Sequence, residues 1–310
     1  MIEVQSLSRY YGTHRAVADV SFTIGENTVV GFLGLNGAGK TTTLKVIAGL
    51  LTPSAGSVRI DGVDMTSASV DFRKRIGFLP ETPPLYTEMT VTDFLRHVGQ
   101  VRGMSAAEVG QRIPEVVAKC QLSGQEHRVI DELSHGFRKR VGIAQAIIHR
   151  PKLVILDEPI SGLDPIQIVE MRRVIQGLAA ECTVLVSSHI LGEISQTCHR
   201  ILVLTDGRLV ADGTEAELAR RFNTGTGLLI TLTAEEPAVR SFFEGRDGVV
   251  SHDVTRAEDG RVELRVELAA DAREQLVADI VEAGFGLRRL EDAQDELEEI
   301  FMDLTRGGAE

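Results

Sequence analysis

Apolar and polar positions along the chain fall into three kinds of run. Met1 to Leu7 and Val17 to Ile24 alternate, as strands with one buried face do, and are expected to pair. Val29 to Leu33, Ile76 to Leu79, Leu153 to Leu156 and Thr183 to Ser187 are short apolar runs. They are too brief for helices and read as strands buried on both faces. Helical periods cover Thr42 to Leu50, with Leu44, Ile47 and Ala48 on one side, then Thr90 to Arg102, Ser105 to Cys120 and Phe137 to His149. Thr90 with Asp93 and Ser105 with Glu108 are capping-box starts, and Ser134 is a natural N-cap. A further helix runs to Ala180 from an N-cap at Asp164, with Pro165 in its first position. The turn Thr52 to Gly56 leads into a strand at Ser57 to Ile60, and Asp206-Gly207 joins a hairpin of Ile201 to Thr205 and Leu209 to Ala211. A short helix capped at Thr214 ends near Phe222. Strands and helices in this order predict an α/β fold.

The period changes after Asn223-Thr224-Gly225-Thr226-Gly227, a polar, glycine-rich linker. Leu228 to Thr233 reads as strand, Glu235 to Glu244 as helix, and Gly248 to Val254 and Arg261 to Leu268 as strands. Ala270 to Ala283 reads as a helix with Leu276, Ile280 and Val281 inward, Phe285 to Leu290 as strand and Gln294 to Leu304 as a last helix. The order βαββαβ predicts a small α+β domain of split-βαβ, ferredoxin-like plan over 228–310. Charge marks the same break. Residues 1–224 hold 24 Lys and Arg against 24 Asp and Glu, whereas residues 225–310 hold 9 Arg and 21 acids, so the whole net charge of −12 lies there. An acidic domain argues against a nucleic-acid partner, which needs a basic footprint.

The densest chemistry sits after the Val29 to Leu33 run. Gly34-Leu35-Asn36-Gly37-Ala38-Gly39-Lys40-Thr41 fits G-x-x-x-x-G-K-[ST] between a strand and a helix. Its glycines let successive N–H groups face one anion, and the helix start adds its own. Lys40 would reach the β- and γ-phosphates of a nucleotide, and the Thr41 hydroxyl would bind Mg²⁺. Asp157 and Glu158 emerge at the end of a buried strand, where ligands of parallel sheets bind. Asp157 would hold Mg²⁺ through water and Glu158 would polarise an attacking water. Ser188-His189 ends another strand on that side, which makes His189 a γ-phosphate contact candidate. Tyr11 lies ahead of the loop and could stack on adenine or be partial core. Ser134 could cap its helix alone or help it hold a second anion. Pro80 to Tyr86 reads as a rigid turn or a docking surface. The three cysteines, Cys120, Cys182 and Cys198, show no ligand spacing and read as buried thiols. The absence of a leader or membrane-spanning run predicts a cytosolic protein.

Residues 1–222 resemble the ATP-binding subunit of ABC transporters. Gly34 to Thr41 match Walker A, Leu153 to Glu158 match Walker B with its catalytic glutamate, Ser161 to Asp164 the D-loop and His189 the switch histidine. The resemblance implies a P-loop ABC cassette with a mixed sheet, an antiparallel β subdomain and a helical subdomain at about 88–150. It implies ATP binding by Tyr11 and by Asn36, Gly37, Ala38, Gly39, Lys40, Thr41 and Thr42, with Lys40, Glu158 and His189 catalytic. Ser134 and Gly136 would act on the ATP of a second copy in an ATP-bound homodimer. Two positions depart from the common pattern. The signature reads Leu133-Ser134-His135-Gly136-Phe137 instead of LSGGQ, and the Q-loop glutamine is Glu81, a carboxylate offered to Mg²⁺ beside Thr41 and Asp157. Both departures, and the ending Leu297 to Thr305, resemble type-2 exporters of the gliding-motility-like and nitrous-oxide-reductase-maturation-like groups. Such a subunit would sit on the inner face of the cell membrane through a separately encoded permease. The alternatives are a non-transport ABC ATPase and a regulatory ATP-binding module.

Overall fold

The computed structural model describes residues 1–66, 69–222, 226–258, 260–269 and 272–292. The chain divides into two compact units that part between Glu215 and Ala216. The first opens with β1 (Ile2–Tyr11) and β2 (His14–Ile24), which form an antiparallel hairpin. Its alternation buries Ile2, Val4 and Leu7 against Val20, Phe22 and Ile24. β3 (Val29–Leu33), α1 (Lys40–Ile47), β4 (Ala55–Ile60), β5 (Val63–Asp64), α2 (Ser69–Lys74) and β6 (Ile76–Leu79) follow. Three helices come next: α3 (Val91–Val101), α4 (Ala106–Lys119) and α5 (His135–Ile147). β7 (Leu153–Leu156), α6 (Pro165–Leu178), β8 (Thr183–Ser188), α7 (Leu191–Ser195), β9 (Arg200–Thr205) and β10 (Arg208–Gly213) complete this unit, and α8 (Glu215–Phe222) begins where the second takes over.

One sheet has the order β2-β1-β4-β5 and is antiparallel; the other has the order β10-β9-β3-β8-β7-β6. In the second, β9, β3, β8, β7 and β6 are parallel and only β10 runs against them. β3, β7 and β8 are buried along their whole length, as the unbroken apolar runs require. The helix starts follow the sequence. Ser105 N–H donates to Glu108 Oε2 at 2.7 Å while Glu108 N–H donates to Ser105 Oγ at 3.3 Å, and Thr90 accepts from Asp93 N–H at 3.1 Å. Asp164 accepts from the N–H groups of Ile166 and Gln167 ahead of Pro165.

Three points go beyond or against the sequence pattern. The first strand does not stop at Leu7 but runs on to Tyr11, because the hairpin is longer than its alternating pattern. Ala55 and Gly56 already belong to β4, where Gly56 has a φ of 87°. α2 has no long periodic run to reveal it; it holds fully buried Phe72, and its Arg73 and Lys74 face solvent.

The second unit contains β11 (Thr226–Thr233), α9 (Glu236–Phe243), β12 (Val249–Glu258), β13 (Arg261–Leu268), α10 (Arg273–Glu282) and β14 (Gly286–Asp292). Its four antiparallel strands take the order β12-β13-β11-β14, the split-βαβ arrangement expected. Thr226 and Gly227 pair with Leu268 and Glu267, so the strand begins inside the expected linker, whose residues 223–225 lie outside the described residues. Leu276 and Ile280 enter the core with Val262, Leu264, Val266 and Phe243. Val281 does not: it is 60% exposed, because one residue beyond Ile280 turns it about 100° around the helix. The expected helix Gln294 to Leu304 lies outside the described residues.

Two kinds of glycine test this packing. A Cβ at Gly77 in β6 would lie 2.0 Å from the Ala146 carbonyl oxygen of α5, whereas Gly110 in α4 has nothing within 4 Å of its would-be Cβ. Gly77→Ala is expected to lower stability by about 1–3 kcal/mol or more, as overpacking does. Gly110→Ala is expected to raise it by about 0.5–1 kcal/mol through helix propensity. Denaturant unfolding of both variants reads the opposite signs.

Candidate functional site

The parallel strands deliver their chemistry to one edge. β3 runs into the glycine loop, β6 into Pro80-Glu81, β7 into Asp157-Glu158 and β8 into Ser188-His189. There a cleft of about 350 Å³ is lined by Tyr11, Asn36, Gly37, Gly39, Lys40, Thr41, Thr42, Glu81, Glu158 and His189, all singled out by the sequence. His14, Ala16, Leu35 and Ser161 also line it. The first two come with the hairpin, in which His14 pairs with Tyr11, and Leu35 sits inside the glycine motif itself.

Gly39 caps α1 with a φ of 94°, and a Cβ there would lie 2.4 Å from the Ala16 carbonyl oxygen, so no other residue fits. Gly207, in the turn between β9 and β10, donates its N–H to the Ala38 carbonyl at 3.0 Å and accepts from Ala18 N–H at 2.7 Å. That pair of bonds fixes the β1–β2 hairpin against the glycine loop. Tyr11 is 46% exposed, with the Arg9 guanidinium 5.1 Å from its ring centroid. Ala38 stands apart from the other residues of the motif. It does not line the cleft, and its N–H turns back to the Leu35 carbonyl at 3.1 Å.

Lys40 is buried, and its ammonium donates to the Gly34 carbonyl at 2.6 Å and lies 3.6 Å from Glu158 Oε1. Burial pushes its pKa below the ordinary lysine value, against the opposing pull of Glu158, Asp157 and Glu81. Glu158 has a left-handed backbone, φ 49°, rare outside glycine. Its N–H donates to Ser187 Oγ at 2.9 Å, and its carboxylate lies 3.1 and 3.2 Å from His189 Nδ1. The same Ser187 hydroxyl donates to Asp157 Oδ1 at 2.6 Å. Asp157 is 2% exposed and does not line the cleft.

Sequence reading missed two further groups. Ser187, one residue before Ser188-His189, ties both acids together. Lys139 on α5 is 2% exposed, and its ammonium donates to the carbonyls of Glu158 and Ser161, each at 2.8 Å. Three basic residues in a row, Arg138 to Arg140, give no sign that the middle one turns inward. Ser134 caps α5, accepting from Phe137 N–H at 3.4 Å, and neither it nor Gly136 lines the cleft. Burial pushes the thiols of Cys120, Cys182 and Cys198 up to about 12, 11 and 12, which leaves all three unreactive near neutrality.

Comparison with known proteins agrees with this arrangement. Residues 17–161 match the ABC transporter family. The chain is 33% identical over 305 residues to the uncharacterized ABC transporter ATP-binding protein YxlF of Bacillus subtilis (strain 168), covering 98% of this chain and 99% of that one. It is 31% identical over 310 residues to the bacitracin transport ATP-binding protein BcrA of Bacillus licheniformis, covering 99% and 98%. Among solved structures, a dimeric bacterial ABC transporter cassette superposes with a TM-score of 0.62 at 25% identity, over 69% of this chain and 98% of that one. With the glycine loop, Glu158 and His189 around one cleft and relatives that match over its whole length, the chain belongs to the ATP-binding subunits of ABC transporters, the ATPases that drive transport.

Proposed function

We propose that this subunit hydrolyses MgATP as one half of a dimer and drives a separate membrane permease, in the direction of export. The observation that carries the hydrolytic reading is Glu158, held between Lys40 and His189 at the edge of the cleft. ATP would lay its phosphates in the glycine loop, where Lys40 would exchange the Gly34 carbonyl for phosphate oxygens. Tyr11, exposed at the hairpin tip, offers a ring face to adenine. Glu158 would accept a proton from the attacking water, and His189 would hold the Glu158 carboxylate in place and contact the γ-phosphate.

The donor set suits Mg²⁺: a hydroxyl from Thr41 and carboxylates from Glu81 and Asp157 are hard oxygens. Among the described residues no three His, Cys, Asp or Glu gather into a metal site, so the remaining ligands would be phosphate oxygens and water. When bound, Mg²⁺ would neutralise charge developing on the phosphates.

Ser134 and Gly136 stand outside the cleft of their own chain, which supports their use against the nucleotide of a second copy. Among the described residues no helix is long and apolar enough to cross a membrane, which supports a separate permease. BcrA, a full-length relative, serves bacitracin transport by its name. The signature at 133–137 and Glu81, both resembling type-2 exporters, support export.

Glu158→Gln is expected to bind MgATP normally and to hydrolyse it at least about a hundredfold more slowly, since general-base contributions run to ~10²–10⁴. Phosphate release measured beside equilibrium ATP binding separates the two effects. Mixing Lys40→Ala with Ser134→Arg subunits should restore one intact composite site per heterodimer, so the mixture should outperform either variant alone. Failure of that complementation, with both variants folded, would mean that sites are not shared. Glu81→Gln should tighten metal-free ATP binding and shrink the gain on adding Mg²⁺. An identical Mg²⁺ dependence in both proteins would remove Glu81 from the metal.

A further inference from the structure

We propose that Lys139 is a positioning residue for hydrolysis: its ammonium fixes the Glu158 peptide and the Ser161 turn, so that the Glu158 carboxylate points into the cleft and its aim follows α5. This rests on the reading of Glu158 as the group that polarises water.

Lys139 is almost wholly buried, which is strongly unfavourable for an ammonium unless its hydrogens are bonded. An apolar side chain of similar volume would carry no such cost. The ammonium bonds two main-chain carbonyls, Glu158 and Ser161, and among the described residues no carboxylate bonds to it. Those carbonyls bracket the short segment that leaves β7. Glu158 is held at its N–H by Ser187 and at its C=O by Lys139, and between these two bonds it keeps a left-handed backbone. Such a conformation persists only where the surroundings over-determine it. With the carbonyl released, the residue is free to relax, and its side chain turns with it. Burial pushes the Lys139 pKa below the ordinary lysine value, and the charges of Glu81, Glu158 and Glu193 oppose that shift. Lys139 also lies five residues beyond Ser134 on the same helix, so a displacement of α5 by a second copy would reach Glu158 through one side chain.

The test is a double-mutant cycle on the full chain, with wild type, Lys139→Met, Glu158→Gln and the double variant compared for ATP hydrolysis and ATP binding. Lys139→Met is expected to lower kcat about tenfold and leave KM within about twofold, which is a barrier rise of about 1.4 kcal/mol. Added to Glu158→Gln, it should change kcat by less than about twofold, because the residue it positions is already disabled. Full turnover by Lys139→Met would overturn the proposal. So would an equal loss in the Glu158→Gln background, or a parallel fall in ATP affinity. Normal turnover by Glu158→Gln alone would remove the role of Glu158, and with it the reason for Lys139. Should Lys139→Met fail to fold, Lys139→Gln, neutral and one bond shorter, enters the same cycle and is decided by the same results.

Discussion

The register of the parallel strands is the constraint on which the cleft depends. Leu79 pairs with Leu156, Leu156 with Val186, and Leu33 with Ser188, so four strands end within a residue or two of one another. Because Val186 stands opposite Leu156, Ser187 falls beside Asp157 and Glu158 and can bond both. A slip of one residue would send its hydroxyl to the other face of the sheet. Strands that are apolar on both faces cannot set register by alternation. Bonds at their ends do so instead: Asp157 N–H to the Leu79 carbonyl at 2.9 Å beyond β7, and Thr183 Oγ1 to the Gly25 carbonyl at 3.0 Å at the start of β8. The register that stacks the core is therefore secured partly by the acids it presents.

Once the strand ends meet, charges crowd. Lys40 feels Glu158, Asp157 and Glu81, and Lys139 feels Glu81, Glu158 and Glu193. Both lysines are largely buried, and each spends hydrogens on main-chain carbonyls. On the proposed reading, the Gly34 carbonyl is where Lys40 would wait before a phosphate arrives. Exchanging the Gly34 carbonyl for phosphate oxygens trades a neutral acceptor for an anionic one, and charge-assisted bonds are roughly twice as strong.

How much of this could be read in the sequence depended on how local the cause was. Helix starts at Thr90, Ser105, Ser134 and Asp164 are decided within four residues, and all four caps were legible. The glycine loop and the paired acids were legible because their spacing is itself the chemistry. Lys139 was not: it turns inward only because α5 packs over the segment after β7, a pairing of positions 19 and 22 residues apart. Ser187 was hidden for the same reason, since its role needs β7 and β8 in register. Val281 failed differently. It is apolar, yet α10 sinks only the side that carries Leu276 and Ile280, and a short amphipathic pattern does not say how deeply a helix sits.

Glu81 shows how one departure from a common pattern is absorbed by its neighbours. A carboxylate in place of a neutral glutamine adds a negative charge to a cleft meant for phosphates. One like-charge pair at 4 Å costs roughly 4 kcal/mol at an effective dielectric of 20. A metal ion can offset that cost only while it is bound. Glu81 is, however, the acid whose charge acts most strongly on Lys139, and it also acts on Lys40. Two buried ammonium groups therefore moderate the carboxylate when the metal is absent. The attraction is mutual: removing the charge at position 81 would leave the Lys139 ammonium less well sustained in a site where burial already disfavours it. On the proposed role of Lys139, a change at Glu81 would therefore also bear on the Glu158 peptide, through the ammonium that bonds its carbonyl.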